Sequence, residues 1–321
     1  MRVIRPAISF SAALFASLVS CGALAAGEPA AGLGHLSLPG ELPMNERAGL
    51  GDPLWMKVRT EGGDEMRLML DTGSDVSVLD TSWARKLGRP VGTKHVGLSF
   101  HGTAGDLPVY RAPRLFVGTT QWLTAPEVVA CSLKELQLRG GPFDGILGMD
   151  SLRAYCIQLD FGARRIRFLD PDHAGSQDLG KAFSITKGPG AEAAFLEADL
   201  FGQGEMLFAL DTGFCEPFDF AVVPRIFRRL LEQNPDHLVF GALIGPVGTG
   251  SAASFTGLNV RGESYANIKL IEVKFTPRRL KGLMGLRFLA RHVATLNFQK
   301  QTLYLRSLSS RPLREKGTTL P

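Results

Sequence analysis

Two acidic residues stand in the same three-residue setting. Asp71 lies in "RLMLDTGSDVSVLD" (67–80) and Asp211 in "MLFALDTGFCEPFDF" (206–220). Each Asp ends an apolar run and is followed by Thr and Gly. The apolar run can carry the carboxyl to the floor of a cleft. The Gly permits a sharp turn and a close approach by other backbone, and the Thr hydroxyl can bond backbone across a pair of such loops. One carboxyl alone does little. Two held about 3 Å apart cannot both ionise near neutrality, so they share a proton. The ionised member can then take a proton from water while the protonated member donates to a carbonyl oxygen. That is general acid/base attack of water on an amide, and its apparent pKa values belong to the pair. Asp71 and Asp211 are the candidate catalytic residues; Thr72, Gly73, Ser74, Thr212 and Gly213 are the candidate loop supports.

For the two motifs to meet, the chain must be built twice. "GILGMDSLRAYCIQLDFGARRIRFL" (145–169) and "GLMGLRFLARHVATLNFQKQTLYL" (282–305) align without a gap, with Gly148 and Gly285 137 residues apart. The Asp-Thr-Gly pair is separated by 211 − 71 = 140 residues. Self-similarity at one long period indicates duplication of a domain rather than a short solenoid repeat. An apolar-apolar-Gly element follows each motif: Ile146-Leu147-Gly148 and Leu283-Met284-Gly285.

Within each copy the pattern is mainly β. "LWMKVRT", the turn "EGGDE" and "MRLML" predict a hairpin. "APRLFVGTTQWLTAPEVVA" predicts another, and "AAFLEADLFGQGEMLFAL" the matching one around Gly202 and Gly204. Helical signals are short: "SLRAY", "FLARHV" and "VPRIFRRLLEQN", the last with Pro near its start.

The paired motifs resemble the aspartic proteases of the pepsin and retroviral type, in which an apolar-apolar-Gly segment threads behind each Asp loop. The resemblance covers about residues 50–306. It implies an all-β fold with short helices, in two duplicated lobes with the active site between them. Asp71 and Asp211 match the catalytic aspartates. The expected activity is that of an endopeptidase acting on an extended peptide or protein, as a monomer and without metal or other cofactor. The family also closes a β-hairpin flap over its substrate. Gly102, Thr103, Ala104 and Gly105 in "FHGTAGDLPVY", and Gly248, Thr249 and Gly250 in "GPVGTGSAASF", fall in the corresponding intervals. Departures occur too. Ser74 is a small hydroxyl residue of the kind the family prefers, but Phe214 takes its place in the second motif. A Phe there is expected to narrow the cleft or tilt the second loop. Asp75 matches an acid that pairs in retroviral enzymes with an Arg after the Gly of the second element. Met149 follows Gly148 here, so that pairing is missing or rerouted, with Arg153 a candidate. The alternative to catalysis is an impaired module of the same fold that binds peptides or a protein partner, motivated by Phe214 and Cys215. A purely structural envelope role leaves the doubled motif without a purpose.

The ends carry other signals. Arg2 and Arg5 precede an apolar run from Ala7 to Val19 and the segment "SCGALAAGEP", the order of a secretory signal peptide. Two cuts fit: near Ala25 or Ala26, or before Cys21 in the lipobox-like "LVSC", which would make Cys21 a lipid-bearing first residue and anchor the protein to a membrane. Either way the expected location is outside the cytoplasm, periplasmic or secreted. The expected organisation is a signal peptide at 1–25 (1–20 if Cys21 is lipidated), a flexible lead-in at 26–48, lobes at 49–171 and 191–308 around a linker at 172–190, and a tail at 309–321.

Composition narrows the alternatives. The 321 residues are 45% hydrophobic and 21% charged, ordinary for a globular protein. The net charge of +5 is scattered. Its densest groups, "RIFRRLL" and "PRRLKG", lack the interleaved aromatics of a nucleic-acid surface and are expected to be solvated faces. Six His residues form no H-E-x-x-H, and no G-x-S-x-G elbow occurs. Of four cysteines, Cys131, Cys156 and Cys215 remain in any mature chain. A Cys131–Cys156 bridge and buried free thiols both fit.

Overall fold

The computed structural model describes residues 38–98, 103–122, 124–172, 174, 178–187, 193–244, 248–274 and 279–308. The signal-peptide and tail expectations, 1–25 and 309–321, and the flap residue Gly102 lie outside them. The first lobe runs through β1 (Glu41–Pro43), β2 (Trp55–Thr60), β3 (Glu65–Leu70), β4 (Val78–Asp80), α1 (Thr81–Ala84), β5 (Gly92–Leu98), β6 (Thr103–Arg111) and β7 (Leu115–Val117). It continues through β8 (Thr120–Trp122), β9 (Glu127–Cys131), α2 (Lys134–Gly140), β10 (Gly145–Leu147), α3 (Met149–Leu152), β11 (Cys156–Asp160) and β12 (Arg165–Leu169). The second comprises β13 (Lys181–Lys187), β14 (Ala194–Ala198), β15 (Met206–Asp211), β16 (Phe220–Val222), α4 (Pro224–Gln233) and β17 (His237–Ile244). It ends with β18 (Gly248–Val260), β19 (Glu263–Glu272), β20 (Leu280–Gly285), α5 (Leu286–Leu289), β21 (His292–Asn297) and β22 (Thr302–Ser307).

Alternation makes the strands. In β2, Met56 and Val58 are buried while Lys57 and Arg59 face solvent, the period-2 pattern of a half-buried strand. β2 pairs with β3 as the predicted hairpin, Trp55 opposite Met69 and Arg59 opposite Glu65. β14 and β15 form the matching hairpin. In α4, Pro224 occupies the first turn, where a missing N–H costs nothing. Ile226, Phe227 and Leu230 face the core, and Arg225, Arg228 and Arg229 face solvent, so the arginines of "RIFRRLL" form a solvated face.

Sheet order exposes the duplication. Lobe 1 reads β5-β6-β9-β4-β10-β3-β2, and lobe 2 reads β17-β18-β19-β16-β20-β15-β14. In each, the strand leading to the Asp pairs in parallel with the strand of the apolar-apolar-Gly element. A six-strand antiparallel layer, β1-β12-β11-β21-β22-β13, joins the lobes. At its centre β11 pairs with β21, and Gln158 stands opposite Thr295, with Gln158 Nε2 donating to Thr295 Oγ1 at 3.1 Å. Since 295 − 158 = 137, equivalent residues of the two copies face each other, as a pseudo-twofold axis through this pair requires.

Three expectations differ from the fold. The span 172–190, read as a linker, contains β13, which pairs with β22 through Lys181–Ser184 and with β14 through Ile185–Lys187. Phe183 and Ile185 supply the buried face that makes it a strand. The lead-in also takes part: β1 pairs with β12, and Met44 and Ala48 are buried. In "APRLFVGTTQWLTAPEVVA" only β7 and β8 form the hairpin; β9 leaves to pair with β4 and β6. Helices α1 and α2 had no clear periodic signal. Among the described residues, no helix is long and apolar enough to cross a membrane.

Candidate active site

Asp71 follows β3 and Asp211 ends β15, so both hang at the ends of buried strands at the junction of the lobes. Asp71 is 0% exposed and Asp211 2%. The two loops interlock through their threonines. Thr72 Oγ1 donates to Leu210 O at 2.6 Å and accepts from Thr212 N at 3.1 Å. Thr212 Oγ1 donates to Leu70 O at 2.7 Å and accepts from Thr72 N at 3.0 Å. Every donor and acceptor of this buried square is matched, which is what holds polar groups in a core at low cost.

The glycines set how near the carboxyls come. A Cβ on Gly73 would stand 2.6 Å from Asp211 Cγ, and one on Gly213 2.5 Å from Asp71 Cγ. Each carboxyl therefore occupies the space that any side chain at the opposite Gly would need. Gly73 N donates to Asp71 Oδ1 at 2.9 Å and Phe214 N to Asp211 Oδ1 at 3.0 Å. Backbone N–H groups of Ser74 and Gly213 also point at Asp71. The two carboxyls lie close enough for each to shift the other's titration. Asp71 Oδ2 is buried and receives no hydrogen bond. Burial, the largest cause, raises Asp71 to about 6 against the N–H groups that favour its charge. Burial again, then the Asp71 charge, raises Asp211 well above the ordinary carboxylate range. A pair so placed keeps a proton at pH values where separate carboxyls have lost both.

The apolar-apolar-Gly elements brace the loops from behind. Asp71 N donates to Leu147 O at 3.0 Å, and Met149 N to Ser74 O at 2.8 Å. In lobe 2, Leu286 N donates to Phe214 O at 2.9 Å and Gly285 N to Asp219 O at 3.0 Å. Asp219, 0% exposed, is held by Arg291 Nε at 2.6 Å and lies 3.6 Å from Arg287 Nε. The sequence reading missed this ion-paired anchor. Its signal was the buried-type position of Asp219 directly before the apolar β16.

Phe214 corrects one expectation. Its ring neither narrows the cleft nor lies at the surface: it is fully buried, clusters with Ala193, Phe195, Phe218 and Leu283, and lies against Gly285. Ser74 turns its hydroxyl to Val76 O at 2.9 Å, and its N–H donates to the Asp71 main-chain O at 3.3 Å. Asp75 accepts Ala193 N at 2.7 Å, and Ala194 N donates to Thr72 O at 3.2 Å. That acid, matched to an Arg-pairing residue by resemblance, thus ties the entry of β14 to the Asp71 loop. Cys131, Cys156 and Cys215 are free thiols. Burial pushes the first two up to about 12. Burial, then the Glu216 and Asp211 charges, pushes Cys215 up as well, which disfavours a thiolate nucleophile. The flap candidates occupy equivalent hairpins. Thr103, Ala104 and Gly105 begin β6, opposite Leu98, Gly97 and Val96 of β5, and Gly248, Thr249 and Gly250 begin β18, opposite Ile244, Leu243 and Ala242 of β17. Among the described residues no group of three His, Cys, Asp or Glu converges as a metal site.

Comparison with known proteins agrees with this geometry. A family model described as aspartyl protease matches residues 56–151, from β2 to α3. The basic 7S globulin from soybean superposes with a TM-score of 0.54 at 10% identity, over 86% of this chain and 97% of that one. The aspartic proteinase from Irpex lacteus gives 0.49 at 13% identity, over 84% and 97%. No curated protein matches the chain. Likeness at such identities is one of fold. Two mainly β lobes and paired Asp-Thr-Gly loops give the chain a bilobal fold like that of its structural neighbours, and its residues 56–151 match the aspartyl protease family model.

Proposed function

We propose that the protein is an aspartic endopeptidase that hydrolyses peptide bonds with water activated between Asp71 and Asp211. The carrying observation is the pair itself: two buried carboxyls, each against the Gly of the other's loop, on a floor that both lobes build. In the proposed cycle the pair holds one proton. The ionised carboxylate takes a proton from water as its oxygen bonds to the scissile carbonyl carbon. The protonated carboxyl gives its proton to the carbonyl oxygen, and a neutral gem-diol forms. Proton transfer to the amide nitrogen then lets the C–N bond break, releasing a carboxyl and an amine product. Only water is consumed. The N–H groups aimed at Asp71 keep its charge oriented in a buried setting, where fixed dipoles act strongly.

An extended substrate is supported by the equivalent hairpins β5–β6 and β17–β18, which we propose act as flaps; closing them would align a peptide backbone and exclude water. The Arg2–Ala26 segment supports action outside the cytoplasm, with Cys21 as a lipid-anchor site if the lipobox is used. Cleavage of a diverse peptide library from pH 3 to 7 tests the activity. Asp71→Asn and Asp211→Asn are each expected to abolish it. Retained cleavage in either variant would sink the proposal.

A further inference from the structure

A polar cluster behind the Asp71 loop has no part in the hydrolytic chemistry. The first N–H groups of α3 hold the loop: Met149 N donates to Ser74 O at 2.8 Å and Asp150 N to Asp75 O at 3.2 Å. The Asp150 side chain folds onto the entrance of β4. Its Oδ2 accepts Ser77 N at 2.8 Å, and its Oδ1 accepts the Ser77 hydroxyl at 2.6 Å. Ser77 Oγ accepts Gly148 N at 3.1 Å and lies 2.9 Å from Ser151 Oγ. Ser151 Oγ accepts Ala125 N at 3.1 Å.

Proton counting gives the directions. Ser77 has one hydroxyl proton, and the short contact assigns it to Asp150. Ser151 must then donate into the cluster, where Asp150 is also within its reach. Both oxygens of Asp150 therefore receive donors, and only a carboxylate can accept on both. An amide turned with its NH2 toward Ser77 N sets donor against donor; turned the other way it donates to the Ser77 hydroxyl, which must then reverse and donate toward Ser151.

Lobe 2 fills the equivalent place with the opposite charge. Arg287 stands 287 − 150 = 137 residues after Asp150, the repeat offset, and reaches Asp219 in the loop before β16. The two copies thus anchor the same segment by different chemistry. Lobe 1 uses an acid on the helix and a hydroxyl directly before the strand. Lobe 2 uses a cation on the helix and an acid before the strand.

We infer that Asp150 is a positioning residue: through Ser77 it fixes the loop from Gly73 to Ser77, whose Gly73 N–H donates to the Asp71 carboxyl at 2.9 Å and whose Ser74 N–H donates to the Asp71 main-chain O at 3.3 Å, and so orients that carboxyl. The inference rests on the hydrolytic reading of Asp71 and Asp211. A displacement of about 1 Å at a reacting group is enough to cost about 100-fold in rate.

The test is a double-mutant cycle on kcat and KM with a cleaved peptide. The variants are Asp150→Asn, Ser77→Ala and their combination, with thermal melts alongside. Each single change is expected to lower kcat about 10- to 100-fold with KM within about 2-fold. The double variant falls no further than the worse single, because the two residues act as one unit. Ser77→Thr, which keeps the hydroxyl and the N–H, restores kcat. Lowered melting temperatures with kcat intact well below the melt, or additive losses in the double variant, would overturn the inference. A wild type that cleaves nothing refutes the proposed activity instead. Pepstatin affinity of wild type and Asp150→Asn then reads the Asp71 geometry. A weaker affinity in the variant is expected, and equal affinities, or no binding by either, overturn the positioning role.

Discussion

Removing a single hydroxyl from the cleft floor should destabilise the whole molecule. Thr212→Val keeps the volume and shape of the side chain but deletes Oγ1, which donates to Leu70 O at 2.7 Å and accepts from Thr72 N at 3.0 Å. Two backbone groups of the opposite lobe then lose their partner. Thr72 is 3% exposed and Leu70 is buried, so water does not replace the lost bonds without opening the floor. An orphaned buried polar group costs about 1–3 kcal/mol. Two give about 3 kcal/mol at the lower middle of that range, or a fall in Tm of roughly 5 °C for a protein of this size. Thr212→Ser retains the hydroxyl and should stay within about 1 kcal/mol of wild type. Urea unfolding followed by two probes measures this. All three tryptophans, Trp55, Trp83 and Trp122, lie in lobe 1, so their fluorescence reports that lobe, while far-UV circular dichroism reports both. If the valine variant loses less than about 0.5 kcal/mol, or the serine variant loses as much as the valine one, the threonine square does not hold the lobes together.

Two further outcomes follow from the same geometry. Gly213→Ala would place its Cβ 2.5–2.6 Å from the Asp71 carboxyl atoms, so the loops must part, and kcat/KM should drop more than about 100-fold. Gly92→Ala, with open space around it, should leave kinetics unchanged, and equal losses in both variants would contradict the close-approach argument. The second outcome concerns pH. Both aspartates have folded pKa values above their unfolded ones. Their favourable contribution is therefore full below the unfolded value and is lost as pH rises through the folded values, a window from about 4 to beyond 6. Asp211→Asn removes part of that penalty, so its melting temperature relative to wild type should be higher at pH 7 than at pH 4. Scanning calorimetry at the two pH values checks this, and the reverse order would contradict it.

Much of the molecule is legible in the chain alone. The repeat offset of 137 placed Gly148 on Gly285, and the same offset sets Gln158 opposite Thr295 at the pseudo-twofold axis. The apolar runs before Asp71 and Asp211 are short and bounded by turn residues, so they read as strands without any knowledge of their neighbours. The types Asp, Thr and Gly limited the chemistry, because the interlock of the loops depends on a carboxyl, a hydroxyl and a missing side chain in that order. Less could be read where an interaction depends on residues far apart in the chain. β13 looks polar and turn-rich until β14 and β22 supply its pairing partners. Phe214 could have faced cleft or core, since one residue on a turn carries no periodicity to orient it. Asp150 and Ser77 are 73 residues apart, with nothing in the spacing to pair them. Local pattern decides which segments are strands and which residue types the site contains. Only the packed structure decides which strands meet, which way a loop residue turns, and that two buried carboxyls become one titrating pair, because each of these depends on burial and on partners that the chain alone does not place.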